Sequence, residues 1–400
     1  MNCHVFSFLF VLSVYFQNIQ SENITFVPSP ICINIGDLPA PYNTTSAEKD
    51  AKLYPVPLDH KFFIPEDFST RLIASNFTRP RYLLYTPSGD ILVSEPSANR
   101  ITCLIDTNND GYPDQRTIFA DASNGLNRAY SMVFVDDYFY IASFGDIRRY
   151  KWISGSRQIS DDLPQSSVQQ ANLDGTNQIT FAYGLRNPVG LAFHPITNEL
   201  YTANQERDEL GDDLVPDFFT RIQQDEFYGF PYAYLSADLV EPRRTFPNGT
   251  SERPDLVSKT RTPDVLLQAH SAVLGMQFYT GTQFPKRYRD GAFAAFHGSW
   301  NKNAGTGYKI VFIPFDSHTN RPIGYYEDFV TGFLTNPEGP DTFGTPVGLL
   351  VLKDGTLVFT DDGNGMIYQV QYKSTAIRHV FSIVLLTICA LYARFLCMCE

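Results

Sequence analysis

Histidine is scarce in this chain, seven in 400 residues, and two of the seven stand at the ends of apolar runs. His270, in Ala269-His-Ser-Ala272, comes just before Val273–Phe278, and His297, in Phe296-His-Gly-Ser-Trp300, just after Gly291–Phe296. An imidazole at such a position can act as a base near neutral pH, although a lone histidine is more often structural. Two acidic runs suggest cation chemistry. In Asp106-Thr-Asn-Asn-Asp-Gly-Tyr-Pro-Asp114, the residues Asp106, Asn108, Asp110 and Asp114 occupy positions one, three, five and nine of a calcium loop. Gly111 holds the turn position, but Thr117 stands where such a loop has its glutamate, so the run reads equally as an acidic turn. The second run, Asn204–Asp213, carries Glu206, Asp208, Glu209, Asp212 and Asp213. On spacing alone it is a solvated acidic loop before it is a calcium site. No zinc spacing, phosphate loop or serine-nucleophile motif occurs.

The elements that must position these residues are strands. The chain has 32 Phe and 23 Tyr beside 26 Gly and 26 Pro, and only 18% charged residues. Aromatic residues suit pleated, half-buried surfaces, and Gly and Pro mark turns. One unit recurs: a polar or proline-containing opener, an apolar strand, a tight turn and a second apolar strand. It is seen from Arg79, Asn127, Arg186, Val273 and Pro346, and a sixth copy is assembled from Phe68–Ala74 and the late strands. Such repeats are the inner strands of propeller blades, with a sandwich as the lesser alternative. The net charge of −12 disfavours nucleic acid, which binds through Lys and Arg.

The ends read differently. Residues 1–20 carry the apolar run Val5–Phe16, as a secretory signal does, and residues 21–61 form an extension before a core at 62–373. Residues 374–400 are apolar enough for a membrane-spanning helix, or else for the signal of a glycolipid anchor. Sequons at Asn23, Asn43, Asn76 and Asn248 agree with secretion and a place at the cell surface. Cys32 and Cys103, the two cysteines between the ends, are candidates for a disulfide, with two free thiols as the alternative.

Five motifs in order, Gly184-Leu-Arg-Asn-Pro-Val-Gly-Leu-Ala-Phe-His-Pro195, Arg207–Asp213, Phe227-Tyr-Gly-Phe-Pro-Tyr232, Ala269–Ala272 and His297–Asn301, resemble the glucose/sorbosone dehydrogenase family. That family includes fungal pyranose dehydrogenases that use pyrroloquinoline quinone (PQQ). The resemblance covers about Phe62–Tyr372 and implies an all-β, six-bladed β-propeller of four-stranded antiparallel blades. It further implies oxidation of an aldose or pyranose C–OH, with an external electron acceptor. PQQ carries three carboxylates and needs cationic donors, with calcium polarising its carbonyl. Arg186 and Asn187 match the family's cofactor-binding pair, Lys309 lies near its cofactor-binding lysine, and the backbone of Glu206 and Arg207 matches its calcium segment. Two positions depart. Arg128 occupies the opener where the family carries its base histidine, and Thr345 the opener where it usually has an arginine. An arginine cannot be a general base near neutral pH, which leaves His270 or His297 for that role. The alternative is a propeller that has lost turnover and binds a ligand or a protein.

Overall fold

The computed structural model describes residues 23–57, 59–124, 126–136, 138–143, 146–153, 155–157 and 181–372. The signal expected at 1–20, the tail at 374–400 and its expected helix lie outside them. Among the described residues no helix is long and apolar enough to cross a membrane.

The recurring unit folds as five sheets of one plan, each built in chain order from a first strand outward. Sheet 1 comprises Leu83–Tyr85, Ile91–Glu95, Arg100–Ile105 and Gln115–Ala120. Sheet 2 comprises Ser131–Val135, Tyr138–Ser143 and Asp146–Lys151. Sheet 3 is Asn187–Phe193, Leu200–Gln205, Phe218–Arg221 and Val265–Leu266; sheet 4 is Val273–Phe278, Ala292–Phe296, Lys309–Ile313 and Glu327–Val330. Sheet 5 is Pro346–Val351, Leu357–Asp361 and Met366–Tyr372, completed by Phe68–Ala74. Pairing within each is antiparallel. Phe68–Ala74 therefore does not begin a sixth unit. It pairs with Met366–Tyr372 and joins the start of the ring to its end. The sixth blade that the resemblance implies is not among the described sheets.

Strand alternation sends side chains to both faces of a sheet, and sheets 1, 4 and 5 each bury both faces against neighbouring sheets. In sheet 4, Ala292, Ala294 and Phe296 pack with Tyr201 and Phe219 of sheet 3, whereas Phe293 and Ala295 pack with Leu349 and Phe359 of sheet 5. Leu83 and Val93 of sheet 1 meet Val358 of sheet 5, and Cys103 and Phe119 of sheet 1 meet Phe139 and Tyr150 of sheet 2. First strands touch one another from sheet 3 to 4, 4 to 5, 5 to 1 and 1 to 2. A glycine permits that approach: a Cβ on Gly275 would come 2.1 Å from the Val347 carbonyl oxygen, and one on Gly348 2.2 Å from that of Arg81.

Sheet 3 differs on the face opposite the one packed on sheet 4. Val189, Leu191 and Phe193 of the first strand of sheet 3 are exposed, and Leu191 and Phe193 help line a cavity of about 500 Å³ with Leu185 and Ile222.

The expected disulfide does not form. Cys103 is buried in the seam between sheets 1 and 2, while Cys32 is exposed beside Ile31, which bridges to Tyr326 near the outer strand of sheet 4. The two thiols thus belong to different parts of the ring, and burial pushes the Cys103 thiol up to about 12. The N-terminal extension is ordered along the ring: Ile24–Phe26 pairs with Phe63–Pro65, and Lys52–Leu53 with Asp341–Thr342.

Candidate functional site

Because the sheets share one plan, the start of each first strand and the end of each second strand meet at the same edge. The pairs Ser131 with Ala142, Asn187 with Gln205, Val273 with Phe296 and Pro346 with Asp361 mark that edge. Residues just beyond these pairs therefore gather on one face of the ring. They are Arg81, Arg128, Arg186, His270 and Thr345 before the first strands, and Glu206, His297 and Asp362 after the second.

Two networks tie neighbouring sheets on this face. In the first, the buried Asp362 carboxylate lies 3.0 Å from His297 Nε2 and accepts from Arg81 Nη1 at 2.7 Å and Thr345 Oγ1 at 2.6 Å. Burial alone would lift the Asp362 carboxyl, but its imidazole, guanidinium and hydroxyl partners outweigh that and hold it far below the usual carboxylate range. With Nε2–H directed at Asp362, His297 keeps Nδ1 as an acceptor, and no partner holds that nitrogen among the described residues. A base oriented by a carboxylate is the arrangement general-base catalysis requires.

His270 is held differently. Its Nδ1 lies 3.3 Å from Asp208 Oδ1 and its Nε2 2.9 Å from the Gly211 carbonyl oxygen. Both nitrogens are taken by acceptors, a pairing that suits the doubly protonated ring. Burial lowers its pKa, yet the Asp208 and Gly211 contacts prevail and raise it above the ordinary histidine value. Asp208 also accepts from Arg186 Nη2 at 3.0 Å, which joins the cofactor-binding candidate to His270. The Asn187 amide donates to Gln205 Oε1 at 3.2 Å. Lys309 stands apart from these networks, paired with Asp328 at 2.6 Å over the Phe296 and Tyr326 rings.

The acidic run after Gln205 is largely structural in its side chains. Glu206 pairs with Arg207 Nε at 2.9 Å, and Arg207 Nη1 donates to Glu241 at 2.8 Å, all three side chains being buried. A cation here would have to use backbone carbonyls. Beneath this loop, the buried Asp217 accepts from the backbone N–H groups of Glu206 and Val273, and burial pushes its carboxyl up to about 7. In the other run, Asp106 accepts from the N–H groups of Asp110 and Gly111, Asn108 from that of Asp110, and Asp114 from the Thr107 hydroxyl. Among the described residues, no group of three or more His, Cys, Asp or Glu side chains is gathered for a metal. Of the sequons, Asn43, Asn76 and Asn248 are exposed, and Asn23 is half-buried with its side-chain oxygen accepting from Thr70.

A cavity of about 380 Å³ opens on the same face, lined by Arg79, Arg81, Arg128, Tyr130 and Asp362 with Pro96 and Ser97. Sequence reasoning missed Asp362 and Arg81 as parts of the site. Their signal was present: an acid pair at the end of the strand Leu357–Asp361, and a charged opener before Leu83.

The family model described as TrAA12-like matches residues 162–373. An uncharacterized protein of Borreliella burgdorferi is 36% identical over 211 residues, which are 52% of this chain and 53% of that protein. A pyrroloquinoline quinone-dependent pyranose dehydrogenase of Coprinopsis cinerea is 27% identical over 275 residues, 55% of this chain and 35% of the relative. The chain thus spans about half the length of the first of these curated relatives and about a third of the second. Among solved structures, the calcium structure of the Trichoderma reesei carbohydrate-active enzyme of family AA12 has a TM-score of 0.63 at 17% identity, covering 80% of this chain and 98% of that one. The holo form of the pyranose dehydrogenase PQQ domain from Coprinopsis cinerea has a TM-score of 0.62 at 15% identity, covering 81% and 99%. At these identities the structural likeness is one of fold.

Proposed function

This chain belongs to the TrAA12-like family, and from that premise we propose that it is a PQQ-dependent oxidoreductase of the extracellular space, acting on a C–OH of an aldose or pyranose. The observation that carries the reading is His297, fixed by Asp362 at one nitrogen and without a partner at the other among the described residues, on a face rich in guanidinium groups. The six-bladed ring, the tether at 374–400 and the sequon glycans belong to the same proposal.

The residues present fit the cofactor. A tricarboxylate needs cations, and Arg186 stands before the first strand of sheet 3 on this face. Arg186 and Asn187 would hold it, and the backbone of Glu206 and Arg207 would hold calcium beside it. When bound, PQQ would supply a two-electron acceptor for the substrate's hydride, with an external acceptor as its oxidant. The chain supplies the rest. His297 Nδ1 takes the hydroxyl proton, the Asp362 carboxylate keeps the ring in the required tautomer and steadies the imidazolium, and Arg81 and Thr345 keep Asp362 in place. His270, engaged at both nitrogens, fixes the loop that carries Asp208 and so the position of Arg186.

Reconstitution of the full chain with PQQ and calcium, followed by dye reduction with a panel of sugars, tests this. His297→Ala should lower kcat by about 10² to 10⁴, with partial recovery in added imidazole. His270→Ala should weaken cofactor binding and gain nothing from imidazole. PQQ binding with no turnover on any sugar would establish the other reading, a binding propeller. That reading draws on Arg128 at the opener and on Thr345, whose hydroxyl is spent on Asp362.

A further inference from the structure

We propose that Arg79, Arg81, Arg128 and Tyr130 form a carboxylate-binding site and that the substrate is an acidic sugar, a uronate. The inference rests on the oxidoreductase reading for its chemistry but not for its binding.

The charge in the cavity favours an anion. Its lining holds three guanidinium groups and a single carboxylate, Asp362. That carboxylate is already shared among Arg81, His297 and Thr345. The nearby Glu95, buried at the end of its strand, accepts from Arg100 Nε and Nη2, Thr102 Oγ1 and the Thr78 N–H, so it has no capacity left. The side chains of Arg79 and Arg128 make no ion pair among the described residues. Both residues hold left-handed backbone, with φ of 50° and 52°, a conformation uncommon for long side chains. The Arg128 backbone is fixed there by its N–H donating to Asn99 Oδ1 at 2.7 Å.

The ligand's class follows from what surrounds the charge. A planar fork of N–H donors matches a carboxylate in two-point contact. Pro96 and Tyr130 add apolar surface, which suits a pyranose ring. Asp362 links the cavity directly to His297, so a sugar anchored here by its acid group lies beside the base. The arginine that replaces a histidine at this opener then serves to hold an acid group, while the base stands one network away.

Calorimetric titration of the full chain with D-glucuronate and D-galacturonate, without PQQ, tests the site independently of turnover. Each should bind at least 10-fold more tightly than D-glucose or D-galactose, and binding should weaken with added salt. Arg128→Ala and Arg79→Ala should each weaken uronate binding about 10-fold or more, Arg128→Lys less, with thermal melts checking that each variant folds. Equal affinity for neutral and acidic sugars would overturn the proposal. So would inorganic phosphate binding as tightly as the uronates, since that describes a general anion site. Loss of uronate binding on saturation with PQQ would overturn it too, by assigning the cavity to the cofactor's own carboxylates. A separate titration followed by PQQ absorbance reports on the cofactor, so failure of the oxidoreductase reading and failure of this site are distinguishable.

Discussion

Asp362 accepts from an imidazole, a guanidinium and a hydroxyl while its side chain is only 4% exposed. A buried carboxylate with three donors is stabilised as the anion, and removing the charge leaves the Arg81 guanidinium without its counter-charge. Asp362→Asn should therefore destabilise the fold by about 3 kcal/mol. The sign of its pH dependence follows from the depressed pKa. Its contribution is fully present above the ordinary aspartate range and is lost as pH falls through the lower folded value. Denaturant melts from pH 7 down to pH 3 should show a falling limb that flattens in Asp362→Asn. At this scale the sequence revealed residue types better than partnerships. His297 was legible from its place after a strand, and so was Arg186 in its motif. Asp362 was not, because its value depends on Arg81, which lies 281 residues away in the chain. The disulfide failed for the same reason: pairing needs nearness, and the topology puts Cys32 and Cys103 in different parts of the ring.

The first strands carry the site, since their openings present Arg81, Arg128, Arg186, His270 and Thr345. Their repeated opener was visible as a unit in the sequence, and four of the five sheets have the full complement of strands among the described residues. What the repeat did not disclose is how closely these strands approach. Gly190, Gly275 and Gly348 sit where each strand's register shifts, and each faces a backbone atom or side chain of the next sheet. The contact partner of Gly275 is a carbonyl oxygen, which cannot rotate away as a flexible side chain would. Gly275→Ala should thus cost about 1–3 kcal/mol by overpacking. It should also displace the start of that strand and with it His270, measured as lower stability together with weaker PQQ binding. An alanine at Gly249, which meets nothing within 4 Å but holds a φ of +81°, separates backbone strain from crowding: it should cost stability without affecting the cofactor.

Among the described sheets, sheets 1, 4 and 5 each pack between two neighbours, and the strand Phe68–Ala74 lies against Met366–Tyr372 to join the start of the array to its end. Blade-like repeats were readable from composition and turns, because alternating apolar strands cannot bury both faces alone. The number of blades was not, because it depends on closure, which no single unit encodes. The two faces of the ring's packing now give a measurable contrast. Phe293, in the second strand of sheet 4, is fully buried between sheets 4 and 5, whereas Phe193, at the end of the first strand of sheet 3, is 60% exposed. Phe193→Ala should change stability by less than about 0.5 kcal/mol, as exposed positions do. Phe293→Ala should cost about 3–5 kcal/mol, the range for an aromatic removed from a packed core. A cost for Phe193→Ala approaching that of Phe293→Ala, in melts of the full chain, would instead place a packed partner against Val189, Leu191 and Phe193 and would restore the sixth unit of the ring.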